Sequence, residues 1–132
     1  MEISERIKEI MKRDNYMSRF HLELEEAESG RIKLKAHLYP TLMRSGDMVN
    51  GGAIMSLFDF SGSLSIFTLE GVLNGFTISF NCDFLKPLLG SYAIVDAVVD
   101  TSGKSHAFIK MDMHDDNGRR VAYAHGIWVV YR

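Results

Sequence analysis

Much of what would mark a secreted, membrane or nucleic-acid-binding chain is missing here. There is one cysteine, Cys82, so no disulfide can close within the chain. A lone thiol fits a reducing cytoplasm, where it serves most simply as a small buried hydrophobe. Basic residues are not in excess: 15 Lys and Arg against 17 Asp and Glu leave a formal charge of −2. The cations are also scattered, so the basic stripe that nucleic-acid binding needs is absent. No apolar run is long enough to cross a bilayer, and no membrane association is expected. The start, Met1-Glu2-Ile3-Ser4-Glu5, lacks the charged-then-apolar pattern of a secretory signal. The five histidines, His21, His37, His106, His114 and His125, fall on predicted strands without ligand spacing, so no metal site is expected. Internal repeats and low-complexity tracts are missing too. What remains is a chain of 132 residues with ordinary apolar content, enough for one domain spanning 1–132.

The apolar spacing predicts the elements. Ile3, Ile7, Ile10 and Met11 keep the 3–4 spacing of an amphipathic helix over 4–12, so residues 1–18 read as an N-terminal segment packed on the domain. Phe20, Leu22 and Leu24, then Ile32, Leu34, Ala36 and Leu38, alternate with polar residues on either side of Ser29-Gly30. That is a β-hairpin with one wet face. Residues 39–49 read as loop. A long apolar helix is predicted over 52–69, with Glu70-Gly71 as its stop. Strands over 75–85, 91–100, 105–114 and 119–131 follow, separated by Lys86-Pro87, Thr101-Ser102-Gly103 and Asp115-Asp116-Asn117-Gly118. A helix apolar nearly all round must be enclosed, and a strongly curved antiparallel sheet encloses it. The fold class expected is α+β.

Asp59 stands in the middle of that oily helix, Gly51-Gly52-Ala53-Ile54-Met55-Ser56-Leu57-Phe58-Asp59-Phe60-Ser61-Gly62-Ser63-Leu64. A buried carboxylate costs several kcal/mol unless something compensates. The glycine pair marks a helix N-terminus whose bare N–H groups suit a developing negative charge. At 100° per residue, Gly52, Ser56, Asp59 and Ser63 share a stripe roughly 60° wide, a wet crevice or an interface. The plainer reading has Ser56 and Ser63 bonding back to helix carbonyls and Asp59 finding a structural partner. From Gly51 to Asp59 is about 12 Å of helix rise. An oxyanion donor and an attacking group must both lie within roughly 3 Å of one reacting centre. One helix cannot supply both. Two copies about a two-fold axis can, which predicts an obligate homodimer with two equivalent interfacial sites.

Asn50-Gly51-Gly52 followed by Leu57-Phe58-Asp59 resembles the His-Gly-Gly…Leu-Ala-Asp signature of hotdog-fold acyl-CoA thioesterases of the phenylacetate-degradation-type branch. The run from Gly75 to Lys86-Pro87 resembles the family's next strand, and Gly103-Lys104 and Gly118-Arg119-Arg120-Val121-Ala122 resemble its later turns. The resemblance spans about residues 30 to 130. It implies a hotdog fold, a curved antiparallel sheet wrapped around one long helix. It also implies hydrolysis of an acyl-CoA thioester at a site shared across a homodimer, with a dimer of dimers (a homotetramer) common in the family. Coenzyme A enters only as part of the substrate; no cofactor is implied.

Carried over by position, Asp59 is the catalytic carboxylate, as general base on water or as nucleophile. The Gly51 N–H resembles the donor that polarises the thioester oxygen in the family. Thr77 takes the place of a hydroxyl residue that positions water, or is simply a β-branched strand residue. Gly52, Ser56 and Ser63 are expected along the substrate crevice. Lys86, Arg119 and Arg120, with Lys104, either meet the phosphates of coenzyme A or are solvated turn cations. Met43, Met48 and Met55 either line an adaptable acyl pocket or fill space. Two departures stand out: Asn50 replaces the signature His, and Arg44 stands where the family often has an Asn. Asn50 has amide N–H groups of its own to offer. A non-catalytic acyl-CoA-binding module is the alternative. A hydratase or dehydratase ranks lower, because no His lies on the central helix or its entrance.

Overall fold

The computed structural model describes residues 1–132. In chain order it contains α1 (Ile3–Arg13), β1 (His21–Glu28), β2 (Arg31–His37), β3 (Met43–Arg44), β4 (Met48–Val49), α2 (Gly51–Ile66), β5 (Asn74–Phe84), β6 (Tyr92–Ser102), β7 (His106–Asp115) and β8 (Arg120–Tyr131). Six strands form one antiparallel sheet in the order β1-β2-β6-β7-β8-β5. This is the α+β arrangement that the alternating runs imply.

The inner face of the sheet explains the wrapping. Ile32 and Leu34 on β2, Val95 on β6, Ile109 and Met111 on β7 and Trp128 on β8 are buried against Leu57, Phe58, Leu64 and Ile66 of α2. Small residues on the same face, Ala93, Ala97 and Ala107, leave room for the helix to approach. At Gly62 the approach is tight: a Cβ there would lie 2.5 Å from Trp128 Cζ2. The α1 helix buries Ile7 and packs on β1, while Arg6 donates to the Val72 carbonyl.

Helix α2 runs over Gly51–Ile66, so it starts one residue earlier and stops three earlier than its apolar pattern predicts. The stop is tight turns: Phe67, Thr68 and Leu69 donate to the carbonyls three residues back. Ser61, Ser65 and Thr68 turn their hydroxyls onto helix carbonyls, which satisfies them in the core. Residues 39–49, predicted as loop, carry the small β3–β4 ladder, turned through Gly46 (φ 94°) and Asp47 (φ 58°).

Asp115 closes the β7–β8 turn. It is 3% exposed and accepts from the Asn117 and Arg119 N–H groups and from Arg119 Nε. Those bonds, the Arg119 N–H foremost and acting against burial, hold its carboxyl below the ordinary range. The folded pKa is therefore below the unfolded one. The stabilisation is complete above the unfolded value, near ~4, and is lost as pH falls through the folded pKa. Asp115→Asn should lower Tm at neutral pH, and its deficit against the parent chain should shrink in strong acid. A deficit that is constant with pH in thermal melts would contradict this.

Candidate active site

Two elements bring the acidic centre together. Asp59 is half-buried on α2, in a seam that is exposed at Gly52 and half-buried at Ser56, Asp59 and Ser63. Strand β5 lies alongside. Its pairing with β8 slips between Thr77 and Ser79, so Ile78 is the extra residue of a bulge. Strict alternation would put Thr77 and Phe80 on opposite faces. The bulge puts both on the helix side, with Ile78 and Ser79 outside. Thr77 Oγ1 then donates to Asp59 Oδ1 at 2.6 Å.

A hollow of about 280 Å³ opens over this pair, lined by Tyr16, Gly52, Met55, Ser56, Asp59, Phe60 and Phe80. Thr77 bonds one carboxylate oxygen from β5, and the other oxygen has no partner within the chain. The walls are mostly apolar. Cys82, farther along β5, is no rival nucleophile, because burial, helped by Asp83, pushes its thiol up to about 11.

The start of α2 forms a second hollow, about 330 Å³, lined by Gly51 with Met48, Ile54, Phe84, Lys86 and neighbours. Asn50 caps the helix: its Oδ1 accepts the Gly52 N–H at 2.7 Å. The Gly52 N–H is thus spent, and the Gly51 N–H is the first of the helix with no acceptor in its own turn. Asn50→Ala should therefore cost about 1 kcal/mol of stability through the lost cap. Asn50→Asp keeps the cap but removes the amide N–H groups. Turnover preserved in Asn50→Asp would limit Asn50 to capping, and turnover lost there would give the amide a part in the reaction.

Other predicted positions divide. Ser56 lines the Asp59 hollow and shares a 3.2 Å hydrogen bond with the Tyr16 hydroxyl. Ser63 lies one turn on, outside the lining, and accepts from Trp128 Nε1 at 3.0 Å. Neither makes the helix-carbonyl bond of the plainer reading. Lys86 shares the Gly51 hollow, and its N–H donates to the Val121 carbonyl, which sets it beside the start of β8. Arg119 is paired with Asp115. Arg120 donates to Asp112 at 2.6 Å and lies over the Tyr123 ring. Arg44 turns back onto the Ser45 carbonyl and the Met48 sulfur.

The sequence pointed to Asp59, Thr77 and the helix start, but not to Tyr16 or Phe80. Phe80 was hidden by the bulge. Tyr16 comes from the turn after α1, where Asp14 accepts the Met17 N–H and no periodicity operates.

Comparison with known proteins bears on the family and the fold. Residues 46–122, more than half the chain, match the family model of the thioesterase superfamily. A protein of Thermoplasma acidophilum that carries an esterase name is 32% identical over 97% of each chain. The E. coli PaaI protein from the phenylacetic acid degradation operon superposes with a TM-score of 0.90 at 14% identity, covering 98% of this chain and 94% of that one. A hypothetical thioesterase protein of Streptococcus pneumoniae, solved with coenzyme A, gives 0.84 at 21% identity, covering 92% and 96%. The structural likenesses carry the hotdog fold, and the sequence matches carry the family: this chain is a member of the thioesterase superfamily.

Proposed function

We propose that the protein hydrolyses an acyl-CoA thioester to the free acid and coenzyme A, at sites shared between two copies of the chain. The observation that carries this is the Asp59 carboxylate in an apolar-walled hollow, one oxygen held by Thr77 and the other free. The Thr77 hydroxyl donates its hydrogen bond to Asp59, which leaves its oxygen lone pairs to accept from a water. A water held there and donating to the free carboxylate oxygen would follow the general-base route. Asp59 takes the proton as the water oxygen bonds to the acyl carbon. The C–S bond then breaks and the thiolate of coenzyme A leaves, taking up the proton that Asp59 accepted, which restores the carboxylate. The developing oxyanion meets the Gly51 N–H of the second copy at a helix N-terminus.

Three features support the pairing of copies. Asp59 and Gly51 line separate hollows of one chain. Strand β5, 11 residues long, lies at the sheet edge, and such an edge is a ready template for another strand. Around the Gly51 hollow, Phe84, Leu85 and Leu89 are each about half exposed, an apolar surface suited to a second copy. Coenzyme A in the pneumococcal neighbour supports the ligand class. Lys86 is the cation best placed for its phosphates, since Arg119 and Arg120 are engaged with Asp115 and Asp112.

The test is thiol release from short, medium, long and aromatic acyl-CoAs. Turnover of at least one is expected. Saturable binding without turnover would move the reading to a non-catalytic acyl-CoA module.

A further inference from the structure

A larger cavity than the Asp59 hollow lies elsewhere in the chain. It is a groove of about 470 Å³ between α1 and β1, floored by Met11, Met17, Phe20, Leu22 and Leu24, with Lys8 and Lys12 among its rim residues. Three rings stand between it and the Asp59 hollow. Phe20 lines the groove, while Tyr16 and Phe60 line the hollow. Their centroids form a closed set of edge-to-face contacts: 5.6 Å from Tyr16 to Phe20, 5.5 Å from Tyr16 to Phe60 and 4.9 Å from Phe20 to Phe60. Phe60 is locked in the core and Phe20 is half-buried, but Tyr16 is 53% exposed. Its hydroxyl is held by one hydrogen bond to Ser56. Of the three rings, it is the one free to be removed or displaced.

We propose that Tyr16 determines acyl-chain length: its ring closes the Asp59 hollow, and the groove beneath α1 is a latent site for the distal part of a longer saturated acyl chain. The inference rests on the acyl-CoA reading above. A chain lying in the Asp59 hollow is flanked by Met55, Phe60, Phe80 and Tyr16. Beyond that ring the groove floor is again apolar, with two methionines, Met11 and Met17, that adapt to a flexible chain. Each methylene that gains apolar cover is worth roughly fourfold in binding. In the parent chain that gain should stop at the ring.

The experiment measures kcat/KM for straight-chain acyl-CoAs from butanoyl to palmitoyl in the parent protein, Tyr16→Ala, Tyr16→Phe and Tyr16→Ala with Met11→Phe. Tyr16→Ala should raise the long-to-short ratio by about tenfold or more, since several methylenes gain cover. Tyr16→Phe, which keeps the ring, should keep the parent's length preference. Met11→Phe narrows the groove and should reverse the gain. An unchanged length profile in Tyr16→Ala, the same shift in Tyr16→Phe, or a gain that survives Met11→Phe would each overturn the proposal. Absence of turnover in the parent would count against hydrolysis, not against the gate. The length limit is then read by calorimetry, as affinity that stops rising with chain length in the parent and keeps rising in Tyr16→Ala. Parallel affinity profiles would overturn it.

Discussion

Asp59→Asn should reduce acyl-CoA turnover by roughly a thousandfold, within the range of an acid–base group's contribution, while leaving the fold and acyl-CoA affinity nearly intact. The substitution is isosteric. Its amide can still accept from Thr77, the one protein group bonded to the carboxylate. What is lost is the ability to take a proton from water or to attack the carbonyl. Melting at the parental temperature, together with parental binding of a non-hydrolysable acyl-CoA, would separate this from unfolding. A fully active Asp59→Asn protein would contradict the mechanism.

The second large effect is on stability. Trp128 is fully buried under α2, its indole N–H satisfied by Ser63 and its ring against Gly62. Trp128→Ala should cost about 3–5 kcal/mol through the cavity it leaves. Gly62→Ala should cost about 1–3 kcal/mol for the opposite reason, a methyl forced into the ring. The two residues occupy one space, so the double variant should be less destabilised than the two single costs added together. Denaturant unfolding at fixed protein concentration measures all three. Simple additivity would show that the ring and the glycine are not in the contact described.

Much of the fold is legible because two periods dominate the sequence. Strand alternation and one continuous apolar helix imply a sheet that must curve around that helix. Asp59 is legible for the same reason, as a cost within an otherwise apolar pattern. The losses have local causes. The bulge at Ile78 breaks the period-two phase and conceals Phe80, although Thr77 was placed through a resemblance rather than by alternation. The end of α2 was overrun because Phe67 and Leu69 keep the apolar pattern while their N–H groups shift to bonds three residues back. Tyr16 belongs to a turn, and its partners Ser56 and Phe60 lie 40 or more residues away in sequence. Ser63 looked like crevice and proved to be the acceptor for Trp128, a pairing across 65 positions that no local pattern encodes.

The central claim is that one active site takes Asp59 from one copy and the Gly51 N–H from the other. Gly51→Pro removes that N–H at the first helical position, where proline is well tolerated. The preceding Asn50 already has the extended backbone that proline demands (φ −59°, ψ 137°). Asp59→Asn and Gly51→Pro chains should each be inactive alone. Mixed, unfolded and refolded together in equal amounts, they should form hybrids in which one of two sites is intact, restoring about a quarter of the parental thiol release. A mixture no more active than its parts, although hybrids have formed, would place both groups of a site in the same chain and contradict the account.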